Sequence, residues 1–391
     1  MTTLTTEPIV GSLKERASEA AEIAARFADD VDEQGRFPVE AFDAIRRLGL
    51  LAEAVPTDQG GRGVSLFELS TAASIIGTAC ASTGMIFAMH QIQVLSLLRH
   101  DHGNAGVQSI IRQVVEEGAL LASATTEIGI GGNTRTSSCC VIENEDGTVT
   151  LEKNAPVISY GAYATAVLAT ARRTPDSLPS DQVMVVCPAD STTLDPTSEW
   201  NTLGFRGTCS PGFILKATVD RSYIVDDDFA TISARTMLPV SHVLWAAVWL
   251  GMATSAVDKA RMVVRKAVQR DLGTKPPSAQ RLAELLIELQ SFTDIVESAA
   301  RRFDENANDA TISDSISYAA AMNGLKITAS ETVARLVDRA LLITGISGYR
   351  LDSNVSLGRT LRDSHGAAIM VNNDRILANN TELALLSRGR R

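Results

Sequence analysis

Long unbroken apolar runs are scarce in this sequence of 391 residues. The longest of note, Val243 to Ala253 (VLWAAVWLGMA), falls short of the ~20 residues a spanning helix needs and reads as a buried core helix. The opening MTTLTTEPIVGSLKERASEAAE has neither a basic n-region nor an apolar h-region, so it does not read as a signal peptide. Cysteines are few and scattered: five, without metal-ligand spacing, which predicts no metal site and a reducing cytoplasmic setting. Positive charge is in deficit. Lysine and arginine total 36 against 46 aspartates and glutamates, a net charge of −10 with a pI near 5.1. That balance argues against nucleic acid or an anionic membrane as partners, while leaving room for a local basic groove for a phosphate-bearing ligand. Internal repeats and low-complexity tracts are absent as well.

What is present is ordinary for a globular chain: 45% hydrophobic and 21% charged residues, and enough length for two or three packed units. The local pattern changes twice, which predicts an α+β architecture in three blocks. Residues 1–118 read as an N-terminal helical domain. Ser12-Leu-Lys-Glu15 and Ser65-Leu-Phe-Glu68 are capping boxes, and Pro38 opens a helix that ends near Gly49. Two further helical stretches run broadly over 66–83 and 84–99. Residues 119–228 read as a middle antiparallel β domain, with strands in VLATARR and QVMVVCPAD and a hairpin at Asp146-Gly147. The neighbours Cys139 and Cys140 are expected on opposite faces of a strand. Residues 229–391 read as a C-terminal four-helix bundle, with periodic stretches near 238–270, 280–306, 312–346 and 357–386.

Several motifs in this order resemble the acyl-CoA dehydrogenase superfamily of flavoproteins. Thr126-Glu-Ile-Gly-Ile-Gly-Gly-Asn133 is similar to that family's TEPGAGSD segment, which touches the flavin ring and diphosphate. The resemblance assigns Thr126, Gly129, Gly131 and Gly132 to the cofactor, with Gly132 in place of a serine; glycines let backbone approach a ligand closely. Val157-Ile-Ser159-Tyr-Gly161 resembles the strand and turn whose hydroxyl bonds the isoalloxazine edge, here Ser159. Val157 replaces the tryptophan that covers the flavin. Trp200-Asn-Thr-Leu-Gly204-Phe-Arg206-Gly-Thr208-Cys-Ser210 resembles the family's W-x-x-x-G-M-R-G-T-x-S run. Arg270, Gln280 and Gly345 fall at positions that, in the family, reach the flavin of a neighbouring subunit or form a nearby turn. Leu342 stands where a glutamine meets the adenine. The resemblance therefore implies FAD, with FMN as the alternative, and a homo-oligomer, a tetramer.

The last segment, RDSHGAAIMVNNDRILANN, departs from the family. It aligns at Arg362-Asp363 and Ile369, but Val371 holds the place of the catalytic glutamate, and the alternative slot near Ser241 holds no carboxylate. An α-proton of a thioester is removed only by a base within bonding reach, and valine is none. Three readings stay open. The chain is a flavin-dependent monooxygenase using reduced flavin and O2, with His365 or His90 assisting. Or it is an acyl-CoA dehydrogenase with a relocated base, for which Asp374, one helical turn past Val371, is the candidate, and His242 lies beside the alternative slot. Or it is a non-catalytic flavin-binding subunit. The resemblance favours a flavin-dependent oxidoreductase acting on an acyl thioester or similar apolar small molecule, partnered by a flavin reductase or an electron-transfer flavoprotein.

Overall fold

The computed structural model describes residues 10–130, 133–270 and 276–386. Both capping boxes form as their sequences dictate. Ser12 opens α1 (Leu13–Gln34) and Ser65 opens α3 (Leu66–Ala79), each serine bonding the backbone three residues on while the glutamate there bonds back. Between them α2 (Val39–Arg47) follows Pro38. The helices α4 (Ala81–His100) and α5 (Ala105–Glu117) complete the N-terminal part.

Seven strands follow: β1 (Leu121–Ala124), β2 (Ile142–Glu143), β3 (Thr148–Ala155), β4 (Ala166–Arg172), β5 (Gln182–Pro188), β6 (Thr192–Pro196) and β7 (Phe213–Asp220). They form two sheets, ordered β1-β4-β5 and β2-β3-β7-β6. All pairs are antiparallel except β1 with β4, which the sequence reading did not anticipate. The hairpin is at Asp146-Gly147, with Gly147 at φ +84 and Asp146 Oδ1 accepting from Thr148 N at 3.0 Å. Cys139 lies in the loop before β2, not on a strand, and Cys140 makes only a single bridge to Arg172.

The C-terminal part begins with the single turn α6 (Phe229–Ile232) and a π-helical turn at Ser233–Met237 leading into α7 (Leu238–Arg270). His100 pins this junction, with Nδ1 2.7 Å from Asp227 and Nε2 2.7 Å from the Thr236 hydroxyl. Then come α8 (Pro277–Asn306), the single turn α9 (Ala310–Ser313), α10 (Ile316–Thr344), the single turn α11 (Ile346–Tyr349), α12 (Gly358–Gly366) and α13 (Asn373–Leu386). Helices α7, α8 and α10 pack together, and α12 and α13 lie on α10. The stretch expected as one helix over 357–386 is thus two, broken at residues 367–372.

Two stretches, Ala81–His100 and Phe229–Arg270, are long and apolar enough by length and composition to cross a membrane. Here both are core helices: Phe87 on α4 and Trp249 on α7 are fully buried. The α7 backbone presses so closely on α3 that a Cβ on Gly251 would stand 2.2 Å from the Ser74 carbonyl oxygen. This buried helical stack is the rigid floor against which the sheets enclose a cavity.

Candidate functional site

A cavity of about 560 Å³ opens between the sheets and the helices, within the range of small-molecule sites. Two walls of different chemistry face each other across it. One is hydroxyl-rich: Thr125 and Thr126 after β1, Ser159 after β3, and Thr208 and Ser210 before β7. The other is apolar: Met85 and Met89 from α4, Trp245 from α7, and Ile369, Met370 and Val371 from the break between α12 and α13.

The hydroxyl wall is pre-oriented. Thr208 donates its hydroxyl proton to the Phe205 carbonyl at 2.8 Å, and Ser210 donates to Ser159 Oγ at 2.9 Å. Ser159 is left with an unused proton facing the cavity, an ordered donor for the edge of a ligand. The turn that carries it is fixed by Tyr160, at φ +43, whose buried hydroxyl donates to the Leu121 carbonyl at 2.8 Å.

The run Trp200–Ser210 is chiefly structural. Phe205 and Cys209 both adopt positive φ, and Trp200 Nε1 donates to the Phe205 carbonyl at 3.1 Å. Gly204 sits so close to α12 that a Cβ there would meet the Arg362 carbonyl oxygen at 2.5 Å. Arg206 reaches the Asp32 carbonyl of α1, and Arg362 pairs with the Asp32 carboxylate. One loop thereby ties together the N-terminal helices, the sheet and the last helices. Asp363, buried beneath it, has its carboxyl pushed up to about 6 by desolvation.

Thr126 lines the cavity as expected, and the segment after it is anchored from below. Glu127 accepts from the backbone of Cys139 at 2.8 Å and Ser138 at 3.1 Å, and pairs with Lys153 at 3.3 Å. Lys153 is fully buried and also donates to the Thr170 carbonyl at 2.8 Å. Gly129 is exposed with φ +96, beyond the cavity rim. Gly131 and Gly132 lie outside the described residues.

Of the three catalytic candidates, the structure brings only His365 to the cavity. Its imidazole lines the rim and forms no hydrogen bond with another described residue. His90 is corrected to a structural residue. It is fully buried, and because Leu121 N donates to Nδ1 at 3.1 Å, the other nitrogen carries the proton and donates to the Leu51 carbonyl at 3.0 Å. Burial drives its pKa down to about 4. Asp374 also stands corrected, because it is exposed in the first turn of α13 and does not line the cavity. His242 is buried, with Nδ1 3.0 Å from the Met322 carbonyl. Arg270 and Gln280 are exposed on α7 and α8, and Gly345, at φ +56, ends α10. None of these three lines the cavity of its own chain.

Sequence reading missed the helical half of the apolar wall. Met85, Met89 and Trp245 sit on helices that are apolar on nearly every face, so nothing local distinguishes a cavity-facing side chain from a core one. The indole Nε1 of Trp245 is shielded from solvent without a hydrogen-bond partner, an orphan donor beside the cavity. A planar, apolar-faced group with a polar edge fits between these walls, which is the description of an isoalloxazine. Ser159, Thr126 and Ser210 would meet its edge.

The acyl-CoA dehydrogenase N-terminal domain matches residues 12–108 and the acyl-CoA dehydrogenase C-terminal domain residues 232–381, together more than half of the chain. Cyclohex-1-ene-1-carbonyl-CoA dehydrogenase of Syntrophus aciditrophicus is 24% identical over 93% of this chain and 86% of its own. The amino sugar nitrososynthase DnmZ of Streptomyces peucetius is 24% identical over 92% of this chain and 88% of its own. Among solved structures, FMN-bound TdsC of Paenibacillus sp. A11-2, a dibenzothiophene monooxygenase also solved with FMN and indole, superimposes with a TM-score of 0.84. It shares 20% identity over 96% of this chain and 98% of its own. With both family domains matched and the sheet enclosed between them, the chain belongs to the acyl-CoA dehydrogenase superfamily, whose members are flavin-dependent enzymes.

Proposed function

We propose that this protein is a flavin-dependent monooxygenase that uses reduced flavin and O2 on a small, largely apolar substrate. One observation carries the reading: among the residues that line the cavity there is no carboxylate, and Val371, which the resemblance sets at the glutamate's position, is one of them. Desaturation of a thioester needs a base at the α-carbon, and the relocated-base candidate Asp374 is outside the lining. Oxygen transfer has no such requirement. The nitrososynthase and TdsC likenesses support the same branch.

Reduced flavin supplies the two electrons with which one oxygen atom of O2 enters the substrate and the other leaves as water. The chain's own residues do the rest. Ser159 donates to the polar edge of the cofactor. Met85, Met89, Trp245 and Met370 exclude water and hold the substrate by its apolar face. His365, at the rim, is the side chain we assign to assist the oxygen transfer. Arg362, the cation that lines the cavity, is already paired with Asp32. FMN is preferred to FAD, because Leu342, at the family's adenine-facing position, is an exposed apolar side chain, 69% accessible. A separate flavin reductase is the required partner.

The test has two halves. Anaerobic mixing of the flavin-loaded protein with a panel of acyl-CoAs is expected to leave the oxidised flavin band unbleached. Supplying reduced FMN and O2 with indole is expected to give an oxygenated product. Bleaching by any acyl-CoA without added reductant overturns the proposal in favour of a dehydrogenase.

A further inference from the structure

Lys326 is a buried cation on the inner face of α10, with the polar Asn323 and Ser330 one turn to either side. Met322, Ala329 and Val333 around it are buried, and Lys326 itself is fully buried. A buried ammonium persists only where its donors are used. Its Nζ donates to the Val371 carbonyl oxygen at 2.7 Å and to Asn373 Oδ1 at 2.7 Å. Asn373 is held in turn by Ser330, one turn along α10, whose Oγ accepts from Nδ2 at 3.1 Å. The Trp249 ring lies 5.9 Å from Nζ, within cation–π range.

These bonds hold a strained residue. Val371 has φ +46, a conformation that β-branched side chains avoid. Such a residue persists only where its surroundings over-determine it. Val371 is also part of the cavity wall, with Ile369 and Met370. Lys326 does not line the cavity. Its hydrogen-bond partners among the described residues are these two neutral acceptors, and the titratable group facing it from α7 is the buried His242, its pKa lowered mainly by desolvation.

We infer that Lys326 is a positioning residue that locks residues 369–373 into the conformation forming the apolar wall, and thereby determines how a substrate seats opposite the hydroxyl wall. The inference rests on the proposed reading of this cavity as the substrate site. Because the ammonium is held by neutral acceptors, Lys326→Met removes the lock without stranding a buried carboxylate.

The test compares FMN-loaded wild type with Lys326→Met, Lys326→Arg and the double variant Lys326→Met/Val371→Gly. Hydrogen exchange at 369–373, FMN affinity and affinity for indole as an apolar probe are measured. Lys326→Met is expected to speed exchange at 369–373 by about tenfold or more while the α10 amides stay protected. Indole affinity is expected to fall by a similar factor with FMN affinity unchanged. Arginine restores both in part. Glycine at 371, which takes φ +46 without strain, restores slow exchange in the methionine background. If Lys326→Met does not fold, Asn373→Ala, which deletes one of the two acceptors, serves with the same readouts. Unchanged exchange and unchanged indole affinity overturn the inference. Failure of the wild type to bind FMN instead sinks the functional reading, and exchange alone then decides the lock.

Discussion

Asp363 Oδ1 accepts a hydrogen bond from the backbone N–H of Phe205 at 2.6 Å, joining α12 to the loop that precedes β7. Burial raises this carboxyl to about 6 against an ordinary 3.8, so the folded protein holds a proton that the unfolded chain has already released. Its contribution is therefore present below pH 4 and is lost as pH rises through about 6. Asp363→Asn keeps the acceptor and removes the titration. The urea midpoint of the wild type relative to the variant is expected to fall between pH 4 and 6, by at most about 3 kcal/mol in stability. A constant difference across that window would assign the charge no cost.

The buried histidines have the opposite sign. Burial lowers both His90 and His242 to about 4 from 6.5. The unfolded chain binds these protons first, so stability is full above pH 6.5 and is lost as pH falls toward 4. Each contributes on the order of 3 kcal/mol across the window, enough together to outweigh Asp363. Net acid lability is the expected result, and His90→Gln should flatten the stability–pH curve measured by denaturant titration.

Lys153 and Glu127 form a buried pair under the segment that begins at Thr126. Removing one member leaves the other charge uncompensated. Lys153→Met is expected to cost about 3–5 kcal/mol and to weaken flavin binding by loosening residues 126–130. Calorimetry and fluorescence titration read the two effects separately.

Ser159 keeps a hydroxyl proton free for a cavity ligand. Ser159→Ala deletes one donor of ordinary strength, worth about 0.5–1.5 kcal/mol. Flavin affinity is expected to drop by a few-fold to about tenfold, with the fold intact by circular dichroism. No change in affinity would remove Ser159 from the cofactor site.

His365 stands at the rim with no hydrogen bond to a described residue, so its loss should move stability by no more than about 0.5 kcal/mol. His365→Ala is expected to lower the product formed per reduced flavin consumed while leaving flavin affinity unchanged. Equal coupling in both proteins would make this histidine a bystander.

Much of this fold is written locally. Ser12 and Ser65 announce their helices because a capping box satisfies its own backbone groups, and Asp146-Gly147 announces its hairpin because the turn needs a positive φ. The valine at 371 is equally plain in the sequence, and with it the absence of a carboxylate at that point. Other features depend on residues distant in the chain. His90 and His365 look alike in one dimension; packing buries the first between Leu51 and Leu121 and leaves the second at the rim. Asp374 has helical spacing from Val371, but that spacing is void where the helix breaks and Val371 turns left-handed. Lys326 is one lysine among seven until the fold brings the Val371 carbonyl, 45 residues further along the chain, against it. Sequence by itself determined most of the elements and the family, since each rests on neighbours within a turn or two. Tertiary structure alone decided which side chains face the cavity and which hold its walls, because burial and hydrogen-bond satisfaction are set by contacts between distant segments.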